Sequence, residues 1–458
     1  MRLGILPLGR PTFDVAFAET TLADMLAELD ATGHEISGSR ALLFDAEATE
    51  AALDRLKHQA IDYLLVLQVT FTDASMTVAA ANAFDLPLGI WAVPEPRIGG
   101  RLRLNAFCGL NLASHALGLA GRRFGWLHAA PGPGTAADLA ELLAGGRQAG
   151  RLEAGPAGAT SEAADAIVGR LAGKRVARIG ELPAGFDTCA YDPAEVKALA
   201  GVEVEALELA DLFDAGRSAD AAKVAQLRRQ VRASGLDQVD QAELDRSLRL
   251  KLGLDAIRHG GGFDAFAIRC WPETFTEYGG AVCGPVSMMG EARVPCACEA
   301  DVYGALTQLV LQEACGQAVF LTDLVDMDAA DNTGVVWHCG QAPLSMMADG
   351  ARPVATVHTN RKMPLLFEFA LKPGRVTFCR ISQAHGVPKM VLAGGQMLDR
   401  PMAFTGTSGV VRFERPAETV LADIMASGLE HHMALAYGDH RPLLRQVAAA
   451  LALPVLEL

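Results

Sequence analysis

Short, uninterrupted apolar runs recur in the first part of the chain, at Leu3 to Leu8, Ala41 to Phe44, Tyr63 to Val69 and Leu88 to Val93. Runs of this length, rich in branched aliphatic residues, predict buried strands. Between them, over Thr20 to Leu29 and Ala51 to Leu56, apolar residues return at three- and four-residue spacing, the period of a helix with one buried face. Strands separated by helices pair in parallel, because each crossover helix returns the chain to the same end of the sheet. The pattern predicts a doubly wound parallel-sheet domain over residues 1–170. Its last part, Ala130 to Gly173, is Gly/Ala/Pro-rich and charged, contains helical but little strand-like sequence, and reads as a bridge.

The alternation resumes at Val176 to Ile179 and Val202 to Leu207, followed by a polar helical region from Ala219 to Ile257 and a strand from Phe263 to Ile268. A helix beginning at Val302 leads into another apolar run, Ala318 to Leu321. This predicts a second doubly wound parallel-sheet domain over 171–345. After Gly340 the character changes. Leu366 to Phe369, the turn Lys372-Pro373-Gly374-Arg375, and Val376 to Cys379 read as a hairpin, with further strands at Lys389 to Leu392 and Val410 to Phe413. A helix near Pro442 to Leu451 closes the chain. Residues 346–458 are therefore expected to form a β-rich, antiparallel C-terminal domain, and the fold class is α/β.

Composition narrows the function. Half of the 458 residues are hydrophobic and 21% are charged, an ordinary globular balance. A formal charge of −14 disfavours nucleic acid and anionic membranes as partners and favours a small molecule. Nine cysteines, an odd number scattered through a long chain, suggest reduced thiols, no disulfides and a cytoplasmic protein. The N-terminus lacks the signal-peptide pattern, and no continuously apolar run reaches the ~18 residues of a membrane span.

The chemistry concentrates after residue 270. In Pro295-Cys296-Ala297-Cys298-Glu299-Ala300-Asp301, carboxylates gather ahead of a helix; for Asp301 the simplest role is capping. Cys296 and Cys298 lack the second pair of a closed zinc site and read as packing residues. Asp323 follows a buried strand at the sheet edge where α/β proteins bind ligands. Glu299 and Asp323 converging there could hold a hard divalent cation and move protons. His338 lies beside a glycine turn. His431 and His432 are adjacent, so strand alternation lets one face a pocket while the other packs or supports it. Trp271 and Glu273 follow another strand end and suit an apolar wall and a sugar-hydroxyl partner. Arg97, Arg101 and Arg103 are candidates for an anionic substituent, or a solvated face. No phosphate loop, dinucleotide fingerprint or nucleophile elbow is present.

Cys270-Trp271-Pro272-Glu273, Cys298-Glu299-Ala300-Asp301 with the Tyr-Gly-Ala-Leu-Thr that follows, Phe320 to Asp323, Trp337-His338-Cys339-Gly340, and His431-His432 with Tyr437-Gly438-Asp439 resemble the L-fucose isomerase and L-arabinose isomerase superfamily, in particular its shorter fucose-isomerase-like members. Weaker matches are Trp91 to Pro96 and Asn105 to Gly109. The resemblance implies a metal-dependent aldose–ketose isomerase acting on a monosaccharide through an enediol. It puts the metal-binding glutamate on Glu299, the second carboxylate on Asp323, and the C-terminal histidine on His432 or His431, with His338 as a further ligand or substrate contact. The ion would be Mn²⁺ or another divalent cation such as Mg²⁺ or Co²⁺. It also implies a trimer or hexamer whose active site lies near a subunit interface, giving Gln68, Arg97 and Asn105 a role with substrate. Two rivals remain open: a metal-dependent epimerase or lyase of a sugar derivative, and a non-catalytic sugar-binding or regulatory protein on the same scaffold.

Overall fold

The computed structural model describes residues 1–458. Its N-terminal alternation comprises β1 (Arg2–Leu8), α1 (Val15–Ala31), β2 (Glu35–Gly38), α2 (Ala46–Lys57), β3 (Tyr63–Gln68), α3 (Ser75–Ala83), β4 (Leu88–Ala92), α4 (Ala106–Leu119) and β5 (Gly125–His128). All five strands are parallel, in the order β2-β1-β3-β4-β5. Every residue of β3 and β4 is buried, as expected of parallel strands covered on both faces. Asp14 and Asp45 start α1 and α2 by accepting from the backbone N–H of Phe17 and Ala48. Ala41 to Phe44 is not a strand: Leu43 makes a single bridge to Leu8, and the strand between the first two helices is β2. As a short, half-exposed edge strand, β2 has no need of the apolar run that marks an interior one.

The bridge holds α5 (Ala136–Leu143) and α6 (Glu162–Leu171), and the second alternation runs β6 (Arg175–Ile179), α7 (Pro193–Ala200), β7 (Glu203–Leu207), α8 (Leu209–Arg217), α9 (Ala221–Gln230), α10 (Gln241–Gly261), β8 (Ala265–Ile268), α11 (Cys283–Glu291), β9 (Cys296–Ala297) and α12 (Val302–Cys315). Its four strands are again parallel, ordered β7-β6-β8-β9.

The remainder is β10 (Phe320–Asp328), β11 (Thr333–His338), β12 (Val354–Thr356), β13 (Leu366–Ala370), β14 (Gly374–Ser382), β15 (Lys389–Met397), β16 (Thr407–Phe413), α13 (Ala417–Ser427), β17 (His432–Tyr437), α14 (Arg441–Ala450) and β18 (Val455–Glu457). Antiparallel pairing runs β16-β11-β10-β17-β14-β15, and β15 pairs back onto β16, so these strands close on themselves. Closure removes the exposed edges an open sheet would carry. Thr322, Leu324, Val336, Phe378 and Phe413 fill the interior, with Val420 and Ile424 of α13 among them.

Two expectations change here. β10 joins this barrel, not the second parallel sheet, because its hydrogen-bonding partners are β11 and β17. The Pro-Gly turn does not make a hairpin: β13 pairs with β12 and β16, whereas β14 pairs with β15 and β17. α12 lies between β8 of the parallel sheet and β14 and β17 of the barrel, which explains why it is buried on all sides from Val302 to Gln312. No helix is long and apolar enough to cross a membrane.

Candidate active site

Side chains alternate along a strand, so residues flanking those inside the barrel point outward. Thr322, Leu324 and Val336 face the interior, while Asp323 and Trp337 face a cleft on the outer wall. Asp323 pairs with Trp337 on one side and with His432 on the other, setting three adjacent strands side by side. Glu299 arrives from the β9–α12 connection, Asn105 from the start of α4, and Arg10 from just beyond β1. The cleft lies where the carboxyl ends of both parallel sheets meet the barrel. It is a half-open cleft, with about 760 Å³ of empty space that includes its mouth.

Glu299 and Ala300 have φ of +58° and +57°, and Asn105 has +51°. Non-glycine residues pay a conformational cost there, and such strain gathers at functional positions. Glu95 supports the strained Asn105: its buried carboxylate accepts from the backbone N–H of Arg103, Leu104 and Asn105 at 2.5, 2.9 and 2.8 Å. Burial raises the pKa of this carboxyl, with those N–H groups opposing.

Glu299 Oε1 accepts from the Trp271 indole at 3.0 Å, and Oε2 lies 2.9 Å from His431 Nε2 and 3.7 Å from His432 Nε2. Burial pushes this carboxyl up, but the hydrogen bond from His431, the two imidazoles and the indole outweigh it and bring it to about 2. His432 Nε2 is 3.5 Å from Asp323 Oδ1. Both of these atoms are buried without a hydrogen-bond partner. Ligand atoms of Asp323, His338 and His432 lie within 4.8 Å of one another, as do those of Glu299, His431 and His432.

A second layer orients the first. Asp301 caps α12 by accepting from Gly304 N–H at 2.8 Å, and also takes His432 Nδ1 at 2.9 Å and the Arg380 guanidinium at 2.5 and 3.1 Å. With Nδ1 engaged by Asp301, His432 turns Nε2 toward Glu299 and Asp323. Burial lowers the His432 pKa, but Asp301, Asp323 and Glu299 outweigh it and the net direction is up. His338 Nδ1 lies 2.9 Å from the Leu321 carbonyl; burial lowers its pKa, against Asp323.

The structure brings Glu299, Asp323, Trp271, Asn105, His338 and His431 into the cleft lining, with His432 directly behind. His431 lines the cleft and His432 lies behind it, both within reach of Glu299; His431 precedes β17 and only His432 belongs to the strand. Glu273 is forked by Arg269 at 2.7 and 2.6 Å. Gln68 is fully buried and bonds Thr70 and Thr72, while Arg97 bonds Asp326 and Thr333. None of these three lines the cleft. Arg10, His358, Asn360 and Arg361 do line it, and sequence reasoning missed them.

The thiols also need correcting. Cys270 and Cys298 form a disulfide with Cα atoms 5.8 Å apart, leaving seven free cysteines. They are 28 positions apart in sequence, yet each follows one of the neighbouring parallel strands β8 and β9, which hid their adjacency.

The cleft thus brings a carboxylate pair, three imidazoles and an apolar wall together at the junction of the parallel sheets and the barrel. Residues 4–149 match the fucose/sulfoquinovose isomerase N-terminal domain, and residues 336–458 match the L-fucose isomerase C-terminal domain. The chain is 30% identical to the sulfoquinovose isomerase of Priestia aryabhattai over 95% of its own length and 94% of the relative's. With that of Alkalicoccus urumqiensis it shares 29% over 99% and 98%. The chain belongs to the fucose/sulfoquinovose isomerase family and is an aldose–ketose isomerase.

Proposed function

We propose that the protein interconverts sulfoquinovose, an aldose bearing a sulfonate, and the corresponding ketose, with a divalent cation held by Glu299, Asp323 and His432, and with His431 and His338 beside them. The observation that carries this is the convergence of Glu299, Asp323 and His432 from three separate segments, leaving Asp323 Oδ1 and His432 Nε2 buried and unpartnered. Unpartnered buried polar atoms are costly, and a cation would satisfy both. Carboxylate oxygens with imidazole nitrogens suit Mn²⁺ or a similar ion. Such an ion, held by these residues, would supply Lewis-acid polarisation of the sugar's oxygens.

Glu299 and Asp323 divide the proton transfers: one takes the hydrogen from the carbon beside the carbonyl, the other handles the hydroxyl proton, and returning the proton to the adjacent carbon completes the exchange. Trp271 and His431 hold Glu299 in place, while Asp301 and Arg380 act as positioning residues for His432. The names of the relatives support the choice of sugar.

The test is to chelate the purified protein, restore Mn²⁺, Mg²⁺ or Co²⁺ separately, and follow ketose formation from sulfoquinovose and neutral aldoses. Metal-dependent ketose formation that Glu299→Gln removes supports the reading. A product that is an epimer or a cleaved sugar overturns it, as does turnover indifferent to chelation. A trimer or hexamer belongs to the same reading, and sedimentation of the metal-loaded protein tests it.

A further inference from the structure

Arg10 and Arg361 line the same cleft as Glu299 and Asp323, yet nothing in the proton chemistry uses them. They come from distant parts of the chain, one just beyond β1 and the other from the loop between β12 and β13. The Arg10 guanidinium is 5.3 Å from the Trp271 ring centroid and that of Arg361 is 5.4 Å from it. The same indole donates to Glu299, so a single ring links the arginine pair to the carboxylate end of the cleft.

Their partners differ. Arg10 is ion-paired with Asp73 at 2.6 Å. Arg361 stands over Trp271 and Phe275, and no hydrogen bond or ion pair engages its guanidinium; Glu273, whose charge it feels, is already forked by Arg269. Burial lowers the pKa of Arg361, and the like charge of Arg10 lowers it further. A half-buried cation facing a second cation, with no ion pair of its own, is well placed to accept an anion. The loop that carries it is nevertheless braced: His358 Nδ1 accepts from the backbone N–H of Asn360 and Arg361 at 3.2 Å each, and Arg101 donates to Asn360 Oδ1 at 2.8 Å. The arginines named from sequence as anion readers are engaged elsewhere, Arg97 with Asp326 and Arg103 with Asp14.

We infer that Arg10 and Arg361 form an anion clamp that holds the sulfonate of the substrate at the end of the cleft away from the reacting carbons, and so set the preference for an acidic over a neutral sugar. The inference rests on the proposed sugar. A sulfonate presents three oxygens around a tetrahedral sulfur and can meet two guanidinium forks at once, which a planar carboxylate does less completely.

The test compares kcat/KM of the metal-loaded enzyme for sulfoquinovose, its neutral 6-deoxy counterpart and the 6-carboxylate, with methanesulfonate as a competing anion. Arg361→Met is expected to lower the sulfoquinovose-to-neutral ratio by about 100-fold, chiefly through KM, and to abolish competition by methanesulfonate. Arg361→Lys should recover part of the ratio, and sulfoquinovose should outrank the carboxylate in the parent enzyme. A ratio unchanged within about 3-fold overturns the clamp, as does an equal loss for both sugars. If Arg361→Met does not fold, Arg361→Gln answers the same question. If the parent enzyme turns over neither sugar, the isomerase reading fails separately; calorimetry then decides the clamp, which stands if sulfoquinovose binds the parent and not the variant and falls if the parent does not bind it.

Discussion

The two ends of the cleft are built differently. At the carboxylate end, Asp323 and His432 sit on paired barrel strands, Glu299 on the short link into a helix buried from Val302 to Gln312, and Asp301 with Arg380 locks His432 from behind. At the arginine end, Arg10 and Arg361 ride on loops, partly exposed and, for Arg361, without an ion pair. Proton transfer tolerates little displacement and gains from rigid strands, whereas recognition of a distal substituent can be left to loops that vary without disturbing the chemistry. Substrate choice and reaction class should therefore be separable by mutation.

The largest effect belongs at the rigid end. Glu299→Gln should reduce kcat/KM by about 10⁴-fold in a metal-supplemented turnover assay, with the protein still folded, since an amide can bond to both the indole and the imidazole. A loss under tenfold would shift the chemistry away from this carboxylate. Next, Asp301→Ala strands Arg380 in the interior and removes a helix cap, so the denaturant midpoint should fall by an amount corresponding to about 3–5 kcal/mol.

Acid should also act first on this end in the metal-free protein. The folded Glu299 carboxyl, at about 2, lies below its ordinary value of 4.5. Its contribution to stability is complete above 4.5 and disappears as pH falls through 2, so Glu299→Gln should flatten the loss of urea midpoint across that window. Smaller still, Asn360→Ala frees the arginine loop from Arg101 and should raise KM for the acidic sugar about 3- to 10-fold with little change in kcat. Arg400→Ala, breaking an exposed pair with Asp331, should cost under about 1 kcal/mol by thermal denaturation.

The parallel sheets were legible because interior parallel strands are continuous apolar runs, as at Tyr63 and Leu88. The barrel was not, since its pairings join distant segments: Phe369 of β13 pairs with Thr407, while the local Pro-Gly signal pointed to β14. Glu299, Asp323 and the two histidines stood out through residue type and resemblance. Arg361 did not, because a loop carries no periodicity, and its significance comes from having no partner, which no sequence displays.

The pairing of Asp323 with His432 across β10 and β17 has an evolutionary consequence. Gaining or losing one residue inside β17 would turn the imidazole into the barrel and bring Met433 out in its place, abolishing the site in one step. Length changes in the 357–365 loop would only reshape the arginine end. Descendants of this chain can thus acquire new sugars by lengthening or shortening a loop, but keep the length of the strand that carries the reaction.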